Sequence, residues 1–127
     1  MASERLIKLL GELLETTRLG VVGWQETAEE NAFRIGLGDG MIRIQSRTNG
    51  DDDERNYEAY LMNKQGRVVD EVTAWRNSSN YMILRELYEE ARSSALNMDG
   101  VVKSMLSDLR EGRTRELPPD GEETSPF

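Results

Sequence analysis

At 127 residues and 14.5 kDa the chain has room for one domain with one modest core, and a second catalytic domain does not fit. It contains no cysteine and no histidine, which excludes disulfides, thiolate and imidazole metal sites, cysteine nucleophiles and every Ser-His-Asp arrangement. Sixteen bases against 24 acids leave a formal charge of −8, which disfavours nucleic acid or an anionic membrane as the main partner, because like charge repels phosphate.

The first residues lead into an apolar stretch broken by Lys8, Gly11 and Glu12. It is neither a signal-peptide core nor a membrane span, so a cytoplasmic protein is expected. Ser3 is placed to cap a first helix on which Leu6, Ile7, Leu9, Leu10, Leu13 and Leu14 form one wide arc at the 3.6-residue period. Glu4, Lys8, Glu12 and Glu15 take the other face, and Gly20 ends the element as a left-handed C-cap.

Five strand-like segments follow, separated by turn signals: Val21 to Thr27, Ala32 to Leu37, Met41 to Arg47, Tyr57 to Asn63 and Arg67 to Trp75. Asp39-Gly40 predicts a type I′ hairpin in which Leu37 opposes Ile42 and Ile35 opposes Ile44, with Arg34, Arg43 and Gln45 on the other face. Asn63-Lys64-Gln65-Gly66 predicts a three-residue loop with a bulge, pairing Met62 with Val68 and Leu61 with Val69. The fourth strand is half-apolar on both faces, with Tyr57, Ala59 and Leu61 on one and Tyr60 and Met62 on the other. Such a strand is either covered on both sides or part of an interface.

Leu84, Leu87, Tyr88, Ala91 and Ala95 then form a helical stripe, and Met98, Val101, Val102, Met105, Leu106 and Leu109 a second one beyond a break near Asn97. Two consecutive helices, or one kinked helix, are predicted. The whole reads as an α+β domain over residues 1–110: an N-terminal helix, a five-stranded antiparallel meander and two C-terminal helices. Residues 111–127 hold all three prolines, five acids and only Leu117 and Phe127 as large apolar residues. They read as a disordered acidic tail carrying three of the eight excess negative charges.

Leu13-Leu14-Glu15-Thr16-Thr17 leading to Gly23-Trp24, then Gly66-Arg67-Val68-Val69-Asp70-Glu71, then Leu87 to Leu96 (LYEEARSSAL), together resemble a group of small uncharacterised bacterial proteins. The resemblance covers most of the body and not the tail. It implies a helix, sheet and helix order, and carries over no activity, cofactor or binding residue.

Gly36-Leu37-Gly38-Asp39-Gly40 is not a phosphate loop, since the dinucleotide fingerprint must open a helix and this segment opens a strand. Asn49-Gly50-Asp51-Asp52-Asp53-Glu54 lacks the alternating ligand spacing of a calcium loop and reads as a solvated hairpin connection. Glu26, Asp70 and Glu71 lie inside strand segments; Asp70 and Glu71 are expected to sit at a sheet edge or to pair with Arg34, Arg43 or Arg67, and no convergent pair for hydrolysis is visible. No cofactor, no metal and no enzymatic activity are expected.

Trp24 and Phe33 are assigned to the core, while Tyr60, Met62, Trp75 and Met82 are the candidates for contact with a partner. The expected function is a non-enzymatic protein-interaction module that binds another protein or itself as a homodimer, through the sheet face or the first helix. An acidic secretion or assembly chaperone is the alternative, although that class interrupts its strands with a middle helix. A DNA-mimicking inhibitor comes third, weakened because the acidity gathers in the tail and in Asp51–Glu54.

Overall fold

The computed structural model describes residues 3–48 and 55–119. Helix α1 (Glu4–Arg18) precedes strands β1 (Gln25–Glu26), β2 (Ala32–Leu37), β3 (Gly40–Thr48), β4 (Arg55–Met62) and β5 (Val68–Ala74), then helices α2 (Tyr81–Ala95) and α3 (Met98–Arg110). The strands form one antiparallel sheet in sequence order. This is the α+β architecture read from the sequence. No helix among the described residues is long and apolar enough to cross a membrane.

Local chemistry sets both ends of α1. The Ser3 hydroxyl accepts from the Leu6 N–H at 3.2 Å. At the other end the Gly20 N–H reaches the Thr17 carbonyl and the Val21 N–H the Thr16 carbonyl, with Gly20 at φ +74°. That pair of bonds is a Schellman motif, which glycine enters without a Cβ penalty. Leu6, Leu10, Leu13 and Leu14 are buried in the core cluster, with α1 packed against α2, each contributing about 1.5–3 kcal/mol of transfer free energy. From α2, Leu84, Leu87, Tyr88 and Ala91 enter the same core, opposite Phe33, Ile35, Ile42, Ile44, Tyr57, Ala59, Val72 and Ala74. Tyr57 meets Tyr81 edge-on and Tyr88 at a tilt, with ring centroids 5.6 and 5.5 Å apart. Burial raises the Tyr57 phenol pKa, helped by Tyr81 and Glu89.

Three expectations need correction. The first strand is only Gln25–Glu26, not Val21 to Thr27. Trp24 is drawn out of strand geometry into the helix layer: its indole N–H donates to Thr17 Oγ1 at 3.0 Å and its backbone N–H to Ser94 Oγ at 3.0 Å.

The β2–β3 hairpin turns at Gly38-Asp39, so Leu37 opposes Gly40, Ile35 opposes Ile42 and Phe33 opposes Ile44. This register lies two residues from the one that Asp39-Gly40 implied. Gly38 takes φ +54° and Asp39 does not take a positive φ, the II′ sign pattern rather than I′. Gly40 serves a different end: a Cβ there would sit 2.8 Å from the Met62 carbonyl oxygen. A two-residue slip preserves side-chain alternation, so the same isoleucines face the helices in either register.

In the β4–β5 hairpin, Met62 opposes Val68 as expected, but Leu61 opposes Asp70 rather than Val69. The extra residue is a bulge. It turns Asp70 toward the start of α1, where its carboxylate accepts from the Ser3 hydroxyl at 2.7 Å and the Ser3 N–H at 3.3 Å. These bonds and one from the Glu71 N–H hold the Asp70 carboxyl below its ordinary pKa, the Ser3 hydroxyl being the largest cause. Asp70 thus lies on the edge strand β5, one of the two placements expected for it, with Ser3 rather than an arginine as its partner.

Residues 111–119 are exposed and carry neither helix nor strand. The acidic Asp51–Glu54 connection and residues 120–127 lie outside the described residues.

Candidate interaction surface

A five-stranded sheet is about 24 Å wide, room for two helices at the usual 8–10 Å separation. Helices α1 and α2 occupy that space on one face. The chain then turns at Asn97, in the left-handed region at φ 53°, ψ 43°, and α3 leaves the helix layer. No α3 residue is buried. Its second apolar stripe therefore faces water: Met98, Val101, Val102, Met105, Leu106 and Leu109 are between 43% and 73% exposed.

The stripe is a continuous feature. At 100° per residue its six members cover an arc of about 140°, the width of a core-facing helix rather than of a solvent-facing one. Lys103 pairs with Asp99 at 3.3 Å on the polar side, and Asp108 pairs with Arg113 just past the helix at 3.0 Å. Isolated helices of this length are marginal in water, and an uncovered apolar arc of this size marks a candidate interaction surface.

Tyr60 and Met62 lie together on the sheet face that the helices leave open, both partly buried. That face is knit by a lateral polar network. The Arg43 Nε donates to Gln45 Oε1 at 3.1 Å. Glu58 Oε1 accepts from Gln45 at 2.6 Å and from the Tyr60 hydroxyl at 3.1 Å, with an Arg47 guanidinium nitrogen 3.6 Å away. Arg43 also reaches Glu29 at 3.3 Å. Burial first, then Glu58, push the Tyr60 phenol pKa up. These groups bond one another across the strands, and at one end of the same face Met41, Met62 and Val68, the last 49% exposed, lie side by side.

Trp75 and Met82 are both more than half exposed, yet they are not brought to that face as a group. Trp75 starts the turn into α2, where Ser78 Oγ accepts from its N–H and donates to its carbonyl. Met82 lies in the first turn of α2, on the helix side of the sheet. The four candidates thus divide among the open sheet face, a connection and a helix.

The acids in strands do not converge. Glu26 is on the β1 edge, Asp70 caps α1 from β5, and Glu71 lies across from Tyr60 on the open face. Among the described residues no group of three or more acids is gathered to hold a metal ion. The helix-layer acids alternate with bases: Arg18 bonds Glu86 and lies 3.8 Å from Glu90, and Arg85 lies 3.8 Å from Glu89.

Periodicity alone identified the α3 stripe. The signal that it has nowhere to pack is the sheet width, already filled by two helices. No family model, curated protein or solved structure matches the chain.

Proposed function

We propose that the protein is a non-enzymatic protein-binding module whose docking element is α3. One observation carries this reading: a helix with a core-width apolar arc contributes no residue to its own domain's core. The first helix, considered from the sequence as a docking element, buries its apolar face in the core, and the polar side chains of the open sheet face bond one another. The chaperone alternative gains no support, since no helix interrupts the strands among the described residues. A DNA mimic needs rows of uncompensated acids, and the helix layer interleaves its acids with arginines.

The test compares the wild-type chain with Val102→Asp/Met105→Asp as bait, both for untagged copies of itself and for proteins in an extract of the native source. A species retained by the wild type and lost by the variant supports the reading. Identical retention by both, including none by either, overturns it.

A further inference from the structure

The geometry points to a second copy of this chain as the occupant of the α3 stripe, in an antiparallel α3–α3 pairing; this rests on the docking role of α3 proposed above. The pattern of the stripe carries the argument. About a centre between Lys103 and Ser104, Val102 mirrors Met105, Val101 mirrors Leu106 and Met98 mirrors Leu109. All six apolar positions therefore map onto one another when the helix is reversed. A reversed copy sets Val102 against Met105 and Met98 against Leu109 at each end. This is the self-complementarity an isologous two-fold interface requires.

Charge supports the same occupant and the same direction. The helix carries Asp99 and Asp108 against Lys103 and Arg110, two acids minus two bases, a net of zero, in a chain with a net of −8. Two copies meeting through α3 therefore bring together the neutral part of an acidic protein, with no like-charge cost across the contact. Reversal also lays the acidic first turn with Asp99 beside the basic last turn with Arg110, and sets the helix dipoles head to tail. A parallel pairing would put Asp99 beside Asp99 and Arg110 beside Arg110.

The chain's own tail is a poor substitute. Between 111 and 119 the only large apolar residue is Leu117, and it is 70% exposed rather than laid on the stripe. Six half-exposed side chains offer on the order of 500 Å² per copy, below the ~800 Å² of a standard interface. The pairing is thus a reversible, concentration-dependent association.

Sedimentation equilibrium of the full chain over a wide concentration range reads it directly. The expected result is a mass rising from 14.5 kDa toward twice that value, and held at the monomer by Val102→Asp/Met105→Asp with unchanged circular dichroism. Direction is read by cross-linking, since the chain has no native cysteine. A mixture of Met98→Cys and Leu109→Cys chains, mildly oxidised, should give the mixed disulfide, with little dimer from either variant alone. Dimers of Met98→Cys alone would indicate a parallel pairing and overturn the proposal. So would a dimer that survives the double aspartate variant, or a monomer at every concentration. In the last case, a foreign protein captured by the wild type and lost by that variant would leave the docking role of α3 standing, whereas no such capture would remove both.

Discussion

Gly36, Gly38 and Gly40 sit within five residues of one hairpin, and alanine at each should give a different result. At Gly40 the new Cβ would lie 2.8 Å from the Met62 carbonyl oxygen, a backbone atom held in the β3–β4 ladder, so the two strands must part. Overpacking of this kind costs about 1–3 kcal/mol, and the entropy removed from the unfolded chain returns about 0.4–1 kcal/mol. The net expectation is a destabilisation of roughly 1–2 kcal/mol, or a Tm lower by roughly 3–10 °C for a domain of this size. At Gly36 nothing lies within 4 Å and φ is not positive, so only the unfolded-state gain remains, about 0.4–1 kcal/mol in favour of folding. At Gly38 there is space, but φ is +54°, which costs a side chain about 1–2 kcal/mol before the same compensation. Urea unfolding followed by tryptophan fluorescence measures all three. If Gly40→Ala proves neutral, or Gly36→Ala costs as much as Gly40→Ala, the assignment of these glycines to separate tasks is wrong.

Leu10 is fully buried, and Leu10→Ala should lower unfolding free energy by about 2–5 kcal/mol. Leu109→Ala, at a position 73% exposed, should stay within about 0.5 kcal/mol in dilute denaturation; a larger loss would mean that α3 supports the fold. Ser3→Ala removes both the α1 cap and the Asp70 partner, at a cost of about 1 kcal/mol from the cap. Because the folded Asp70 pKa is lowered, its contribution is present above the unfolded carboxylate value near 3.9 and is lost as pH falls through the folded one. In Ser3→Ala the Asp70 carboxyl should titrate closer to its ordinary range by NMR. An unchanged titration would exclude the Ser3 hydroxyl as the main cause.

Features written in neighbouring residues were legible from the sequence. Ser3 and Gly20 delimit α1 because caps act within a turn, and alternation assigned Ile35, Ile42 and Ile44 to one face correctly. What was lost depended on distant atoms. Alternation cannot separate two hairpin registers that differ by two residues, and the choice rests on Gly38 and on the carbonyl of Met62 in another strand. The short β1 follows from a hydrogen bond between Trp24 and Thr17, and the bulge at Val69 brings Asp70 to a serine 67 residues earlier. For the candidate surface, periodicity identified every member of the α3 stripe. Whether a stripe is covered depends on how much sheet the other helices leave, a property of the whole layer.

The joint at Asn97 links these helices through a single left-handed residue. Its side chain fills the space where any Cβ on Gly100 would have to go, 2.6 Å from the amide atoms, so the pair Asn97 and Gly100 steers α3 from its first turn. The bearing of six apolar side chains is therefore a trait of two positions, and neither belongs to the core. A substitution at either would change the bearing of α3 without opening the core, and at position 97 it carries the cost of about 1–2 kcal/mol that the left-handed region sets for side chains other than glycine, asparagine and aspartate.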